Sequence, residues 1–290
     1  MLNLAFRIDN ACPVNKYAVV GNPIQHSKSP IIHQAFAQQE GVEIEYQRML
    51  SETSTFMSDV DRFHANGGMG LNVTLPFKVS AYEHCVSCND YANAAQAVNT
   101  ISFNSQGEWL GANTDGIGLM RDLTDNQGVD LGARSILILG AGGSVRGILL
   151  PLLLQQPAKI VIANRSVDKA IALAEQFSAH GKLSACGYDD LTAMPQAAEQ
   201  QCFDVVINAT SASLSQQLPP ISDSIVDSKS FCYDLAYSDT ATVFMQWAQQ
   251  RGVYGCCDGI GMLIEQAAES YAIWRGIHPD TQPVFKLLRP

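Results

Sequence analysis

The chain has 290 residues, of which 47% are hydrophobic and 16% charged, so it is long enough for two globular domains of ordinary size. Its formal net charge of −10 argues against nucleic-acid binding, which depends on many lysines and arginines. The longest strongly apolar stretch, residues 147–154, is too short for a membrane span, and the N-terminus lacks the pattern of a signal peptide. We therefore expect a cytoplasmic protein that acts on a small molecule and contacts neither nucleic acid nor membrane.

Alternation of strand and helix begins near residue 17. Ser29 followed by Pro30 is typical of a helix N-cap and first helical position. A strand at 70–74 places Asn72 and Thr74 on the same face, because side chains alternate along a strand. Patterns in the first 124 residues predict strands at 17–20, 43–50, 70–74, 99–103 and 109–110 and helices at about 30–39, 53–65 and 115–124.

The second half contains short apolar runs that are mostly β-branched and are separated by helical patterns. This arrangement predicts a parallel sheet buried on both faces. Its strands are expected at 136–139, 159–163, 204–208 and 231–235. A final helix at 262–274 follows the last of these strands and is placed to pack back on the first half. Pro151 lies inside an expected helix, where proline normally breaks a hydrogen bond, and nothing in the sequence explains it.

A glycine-rich turn follows the first strand of this sheet, in the segment ILILGAGGSVRG at 136–147. Gly140 permits a tight turn, and Gly142 and Gly143 let backbone N–H groups approach a pyrophosphate. The next strand ends at Asn164, Arg165 and Ser166, with Lys169 close behind. A site for NAD normally has an acidic residue there, whereas arginine suits the 2′-phosphate of NADP. The sequence therefore predicts an NADP-binding domain.

Lys78 and Asp115 are the candidates for proton transfer beside the cofactor. Lys78 follows the polar residues Asn72 and Thr74 after a proline turn, and Asp115 begins an expected helix. Simpler interpretations stay open for the pattern alone. The strand residues would then face solvent, Lys78 would be a solvated helix residue, and Asp115 would only cap its helix, as Ser29 would cap an earlier one.

Eight cysteines are spread along the chain without the features of a secreted protein, so reduced core thiols are expected. Cys85 and Cys88 form a CxxC, but no second pair at zinc-like spacing completes a ligand set. We predict no metal site.

Seven segments together resemble shikimate dehydrogenase, in particular its NADP-dependent biosynthetic branch. They occur in the family's order and cover nearly everything after residue 16, whereas residues 1–16 lie outside the resemblance. The segments are NPIQHSKSP at 22–30, NVTLPFK at 72–78, AVNT at 97–100, NTDG at 113–116, GAGGSVRG at 140–147, NRS at 164–166 and DGIGMLIEQAA at 258–268.

The resemblance implies reversible reduction of 3-dehydroshikimate by NADPH, in aromatic amino-acid biosynthesis. It makes Lys78 the proton donor or acceptor, paired with Asp115, because an ammonium donates a proton and stabilises developing negative charge. It assigns the substrate carboxylate to Ser27, Ser29 and Tyr237. It assigns the ring hydroxyls to Thr74, Asn99, Asp115 and Gln266, and makes Asn72 a residue that shapes the pocket.

The resemblance also implies the contacts of NADP. Those with the pyrophosphate come from the turn Gly140, Ala141, Gly142, Gly143 and Ser144. Those with the 2′-phosphate come from Asn164, Arg165, Ser166 and Lys169, although Lys169 alone is also compatible with a solvated helix residue. Three positions depart from the family pattern: Ser144 replaces an alanine, Ser213 replaces a glycine, and no proline follows Tyr237.

The expected architecture is therefore α/β with two domains and an active site in the cleft between them. Residues 1–118, completed by a helical segment at 255–290, form an α/β substrate domain, and 119–254 form a Rossmann-type, doubly wound parallel-sheet NADP domain. The alternatives are a quinate/shikimate dehydrogenase of broader substrate and cofactor range, and a noncatalytic NADP-sensing protein of this fold. The sequence is compatible with a monomer or a homodimer.

Overall fold

The computed structural model describes residues 14–193 and 202–289, which form two α/β units. The first unit contains strands β1 (Asn15–Gly21), β2 (Ile44–Leu50), β3 (Gly68–Val73), β4 (Ser87–Cys88), β5 (Thr100–Phe103) and β6 (Trp109–Ala112). Its helices are α1 (Ser29–Glu40), α2 (Phe56–Ala65), α3 (Lys78–His84), α4 (Asp90–Ala95) and α5 (Asp115–Arg121). The predicted strands and helices are confirmed here, whereas the two-residue β4 and the short α3 and α4 were not predicted.

The second unit begins after a π-helical segment at Asp122–Asn126. Its strands are β7 (Ser135–Leu139), β8 (Lys159–Ala163), β9 (Leu183–Cys186), β10 (Val205–Asn208), β11 (Phe231–Asp234) and β12 (Gly255–Asp258). Its helices are α6 (Gly143–Leu154), α7 (Val167–Gln176), α8 (Tyr188–Ala193) and α9 (Val243–Gln250). Two further helices, α10 (Ile260–Arg275) and α11 (Gln282–Leu288), follow β12. Within the described residues, no helix is both long and apolar enough to span a membrane.

The first sheet has mixed strand directions, in the order β2-β1-β3-β5-β6-β4. Strands β1, β2 and β3 are parallel, and β5 is antiparallel to both β3 and β6. Because β5 runs in the opposite sense, its first residue lies at the edge where β3 and β6 end. The chain segments at the ends of β1, β3 and β6 and at the start of β5 therefore meet at one edge.

The second sheet is parallel throughout, in the order β12-β11-β10-β7-β8-β9, which confirms the predicted parallel sheet. Alternate residues of β7 serve opposite faces: Ile136 and Ile138 belong to one buried cluster, and Leu137 and Leu139 belong to another. Strands β9 and β12 were not predicted, because their sequences LSAC and GCCD lack the long apolar runs of the central strands.

Pro151 lies inside α6, as predicted, and the packing of α5 against α6 explains it. A proline has no N–H, so the carbonyl of Gly147 loses the helical hydrogen bond that residue 151 would donate. Gly116 of α5 lies against this point, since a Cβ atom on Gly116 would be 2.4 Å from Pro151 Cγ and 2.5 Å from the Gly147 oxygen. The two helices can meet this closely because α5 presents a glycine at the contact.

Helix α10 returns to the first unit and confirms the helix predicted at 262–274. It packs against α1 in a cluster that contains Ile32, Phe36, Ile264 and Tyr271. It also packs tightly against α5. The domain limits at residues 118 and 254 stay a prediction, and the first of them falls within α5.

Replacement of Gly118 by alanine is expected to destabilise the protein. The added Cβ would lie 2.6 Å from the Gln266 nitrogen and 2.7 Å from the Met262 oxygen, and backbone atoms of a packed helix cannot move aside. Gly118→Ala should lower the free energy of unfolding by about 1–3 kcal/mol in urea titrations. Gly143→Ala is the matched control, because nothing lies within 4 Å of its added Cβ. Equal stability of the two variants would contradict this packing.

Candidate active site

Four sequence-predicted side chains are in direct contact at this edge of the first sheet: Lys78, Asp115, Asn99 and Gln266. Lys78 begins α3 after β3, and Asp115 begins α5 after β6. Lys78 Nζ donates to Asp115 Oδ2 at 2.5 Å, with only 12% and 8% of the two side chains exposed. Because little water reaches the pair, solvent screens its charges weakly. Lys78 is therefore not a solvated helix residue, and Asp115 is more than a helix cap.

Asn99 fixes the orientation of this pair. Its Nδ2 donates to Asp115 Oδ1 at 2.8 Å and approaches Gln266 Oε1 at 3.2 Å. Its Oδ1 accepts the backbone N–H of Thr114 at 2.9 Å. Asn99 directly precedes β5 and Gln266 lies on α10, so elements distant in sequence are needed to assemble the cluster.

Thr114 is a member of this cluster that sequence analysis missed. Its hydroxyl donates to the Gln266 carbonyl at 3.0 Å, which ties the start of α5 to α10. Thr114 is fully buried and lies inside the NTDG segment. The available signal was a polar residue directly before the proposed site residue Asp115.

Asn72 lies in the wall of the cluster with its amide directed into the protein. Its Oδ1 accepts from Tyr46 at 2.7 Å and from His33 Nε2 at 3.1 Å, and its Nδ2 donates to Ser270 at 2.9 Å and Thr100 at 3.3 Å. Since β3 is an inner strand and Asn72 is 5% exposed, it is not on the solvent face of an edge strand. The expectation that it shapes the pocket fits these contacts.

His33 and Tyr46 were not predicted as part of this wall. Burial lowers the pKa of His33 to about 3, so the ring is neutral and its Nε2–H donates to Asn72. Burial raises the pKa of Tyr46 well above its usual value, so the phenol keeps the proton that it donates. The sequence signal for His33 was a polar residue next to Ile32 and three positions before Phe36, on the apolar face of α1.

Ser27 and Ser29 lie in the loop that follows β1. Helix α1 starts at Ser29 rather than at Pro30, with Lys28 in the cap position and no side-chain cap bond, so the prediction of Ser29 as N-cap is wrong by one residue. The Ser27 hydroxyl donates to Ser29 Oγ at 3.1 Å. Arg48 holds this loop through two bonds to the Ser27 carbonyl, at 2.9 and 2.6 Å.

Tyr237 approaches this serine loop from the second unit. It follows β11 and packs against the cluster of α1 and α10. Lys28 Nζ lies 3.1 Å from Asp239 Oδ1, so the loop that carries Tyr237 adjoins the serine loop. Burial and the nearby Asp258 raise the pKa of Tyr237, and no described residue hydrogen-bonds to its hydroxyl. The hydroxyl of Thr74, the residue that follows β3, also has no hydrogen bond to a described residue.

The glycine turn forms a cradle at the end of β7. Gly140 has a φ of 111°, a value that favours glycine. Nothing lies within 4 Å of a Cβ placed on Gly142 or Gly143, and α6 starts at Gly143 without a side-chain cap. Free N–H groups and open space at a helix N-terminus suit a phosphate group. The turn's other two residues, Ala141 and Ser144, are half-buried.

Basic side chains flank this cradle at the end of β8. Arg165 and Lys169 are exposed, and neither forms an ion pair with a described residue. Asn164 Nδ2 donates to the Ser166 carbonyl at 2.9 Å and shapes the turn between them. The two cations are therefore available to an anionic ligand.

Helix α6 connects the cradle to the Lys78–Asp115 pair: it begins at the cradle, and its next turn lies against Asp115. A Cβ on Gly147, one turn beyond the start of α6, would be 3.2 Å from Asp115 Oδ2. A cofactor whose phosphates bind at the cradle is thus close to a residue pair able to move a proton. Among the residues that the structure describes, no group of three or more His, Cys, Asp or Glu side chains could hold a metal ion.

Comparison with known proteins gives a consistent result over nearly the whole chain. Residues 19–101 match the shikimate dehydrogenase substrate binding domain, 122–222 match the shikimate/quinate 5-dehydrogenase family, and 259–289 match the shikimate 5'-dehydrogenase C-terminal domain.

Individual relatives agree with these matches. The proteins named shikimate dehydrogenase (NADP(+)) from Halorhodospira halophila and Chromobacterium violaceum are 49% and 47% identical. The alignments cover 94% and 95% of this chain and 97% and 98% of the relatives, respectively. The crystal structure of shikimate 5-dehydrogenase from Thermus thermophilus in complex with NADP(H) and shikimate is 26% identical, with a TM-score of 0.82. That alignment covers 95% of this chain and 99% of the other.

Proposed function

Because the chain belongs to the shikimate dehydrogenase family, we propose that Lys78 and Asp115 are its catalytic pair in the reversible reduction of 3-dehydroshikimate to shikimate with NADPH. The observation that carries this proposal is the 2.5 Å contact between the two side chains, one helical turn from the cofactor cradle. The negative charge of the protein, −10, supports a small-molecule enzyme over a nucleic-acid-binding protein.

When bound in this cleft, NADPH would supply a hydride for the substrate carbonyl carbon. As that carbon accepts the hydride, the carbonyl oxygen gains negative charge, and the Lys78 ammonium stabilises the charge and donates a proton to the oxygen. In the oxidation of shikimate, Lys78 acts as the neutral amine and accepts the hydroxyl proton, which regenerates the ammonium. The side chain remains 12% exposed, so the proton exchanges with solvent between turnovers.

Asp115 orients Lys78 and bonds an adjacent ring hydroxyl of the substrate. Since Asn99 holds the other carboxylate oxygen, the position of Asp115 is fixed before the substrate binds.

The remaining polar residues bind the substrate at two ends. Ser27, Ser29 and Tyr237 take the carboxylate, and the free Tyr237 hydroxyl supports this role. Thr74, Asn99 and Gln266 take ring hydroxyls. Asn72 shapes the pocket through its bonds with Tyr46 and Ser270 in the wall.

The residues of the second unit fit NADP. The backbone of the turn Gly140, Ala141, Gly142, Gly143 and Ser144 would hold the pyrophosphate at the N-terminus of α6. Arg165 would bind the 2′-phosphate through two donors, with Lys169 as a second charge and Asn164 and Ser166 shaping the turn.

A noncatalytic NADP sensor would not require a desolvated lysine and aspartate beside the cofactor, so the pair argues against that alternative. A broader quinate/shikimate enzyme would share the pair. Reduction of NADP⁺ and of NAD⁺, each measured with shikimate and with quinate, distinguishes these alternatives by absorbance. We expect shikimate with NADP⁺ to be preferred.

Replacement of Lys78 by methionine should abolish most turnover. The methionine keeps much of the aliphatic volume but cannot move a proton, so kcat should fall by roughly 10²- to 10⁴-fold. The dissociation constant of NADP⁺, measured by calorimetry, should stay unchanged. Lys182→Met is the control, because this exposed lysine directly precedes β9 and so lies at the end of the second sheet opposite the glycine turn. Wild-type turnover in Lys78→Met would refute the mechanism.

Two substitutions in the cofactor site should affect NADP⁺ and NAD⁺ differently. Arg165→Ala removes a contact to the 2′-phosphate alone, so NADP⁺ affinity should fall by about 10- to 100-fold while NAD⁺ affinity is retained. Gly142→Ala places a methyl group where the pyrophosphate approaches, so both affinities should fall together. Its unfolding midpoint should not change, since no protein atom lies within 4 Å of the added Cβ. Equal losses for both cofactors in Arg165→Ala would contradict the phosphate assignment.

A further inference from the structure

Two neighbouring loops of the second sheet face the two ligands of the proposed reaction. The loop after β10 begins at Ala209 and lies against the glycine turn, since a Cβ on Gly140 would be 3.1 Å from the Ala209 carbonyl oxygen and 3.4 Å from Thr210 Cγ2. The loop after β11 carries Tyr237, whose hydroxyl is free for the substrate carboxylate. The first loop therefore meets the cofactor, and the second meets the substrate.

Asp234 joins these loops from a fully buried position at the end of β11. Its Oδ2 accepts the hydroxyls of Ser213 at 2.6 Å and Thr242 at 2.7 Å. Its Oδ1 accepts Asn208 Nδ2 and the backbone N–H of Ala236, both at 3.1 Å. A buried carboxylate is tolerated only when such donors replace its water, so these four bonds fix the residues that make them.

Ser213 supplies the shortest of the four bonds and comes from the cofactor-side loop. Its hydroxyl also accepts from Asn208 Nδ2 at 3.2 Å. Asn208 Oδ1 in turn accepts the backbone N–H of Thr210 at 3.1 Å and its hydroxyl at 2.7 Å. Hydrogen bonds therefore run without a break from Thr210, beside the glycine turn, to Ala236, which directly precedes Tyr237.

We propose that Ser213 and Asp234 are positioning residues that hold Tyr237 in place for the substrate carboxylate by anchoring its loop to the cofactor-side loop. This inference rests on the proposed function, which gives Tyr237 its contact with the carboxylate. Ser213 is one of the positions where the sequence departs from the family pattern. A glycine there has no hydroxyl, so the link from the cofactor-side loop to Asp234 would rest on Asn208 alone.

A double-mutant cycle on the full-length enzyme tests this link. The KM for shikimate and kcat are measured at saturating NADP⁺ in the wild type, Ser213→Ala, Tyr237→Phe and the double variant. Tyr237→Phe should raise KM about tenfold, as expected for loss of one hydrogen bond to a charged group. Ser213→Ala should raise KM severalfold with little change in kcat. The double variant should have the KM of Tyr237→Phe, because Ser213 acts only through Tyr237.

Ser213→Thr and Ser213→Gly complete the design. Threonine keeps the hydroxyl and should give a KM near that of the wild type. Glycine lacks the hydroxyl and should give the same KM as alanine, whether or not the alanine variant has a lower thermal midpoint. Independent, multiplicative effects in the double variant would overturn the proposal, and so would a wild-type KM in both Ser213→Ala and Ser213→Gly. A wild-type KM in Tyr237→Phe would overturn the Tyr237 contact and this inference with it, while the tests of Lys78 and Arg165 would still report separately on the proposed function.

Discussion

The close approach of α5 to both α6 and α10 is the constraint on which the site depends. Gly116 lets α5 reach the Gly147 carbonyl and Pro151 ring, and Gly118 lets it reach the backbone at Gln266. A side chain at either glycine would push the helices apart and move Asp115 with them. Backbone contact therefore sets the distance between the proposed proton-transfer pair and the proposed cofactor cradle, and it explains a proline that would otherwise be a defect in α6.

Strand direction in the first sheet is the second feature that assembles the site. In a fully parallel sheet, the residue before a strand would lie at the edge opposite the ligands. Because β5 runs antiparallel to β3 and β6, Asn99 begins its strand beside the residues that end theirs. The second sheet needs no such reversal, since the residues proposed to contact the cofactor all follow the carboxyl ends of strands. The two sheets thus present their functional residues by different means.

Much of the fold and part of the site could be predicted from the sequence. Apolar β-branched runs marked the central strands, and the glycine turn with Arg165 marked the cofactor half, because local backbone and charge requirements determine both. Asn99, Gln266 and Tyr237 depended on the family resemblance, since each is a single polar residue whose neighbours come from distant segments. Thr114 and Tyr46 were missed because their contacts exist only after the sheet and α10 assemble. The start of α1 differed by one residue, which local propensity does not resolve.

The buried wall behind the substrate pocket also constrains how this protein can evolve. Asn72 bonds to side chains from α1, β2, β5 and α10, through His33, Tyr46, Thr100 and Ser270 respectively. Loss of any one of these groups leaves a donor or acceptor buried without water to replace it. Substitutions here are therefore tolerated in combination more readily than singly, so the effect of each should depend on the genetic background. We expect epistasis to be concentrated in this wall, even though it contains neither member of the proton-transfer pair.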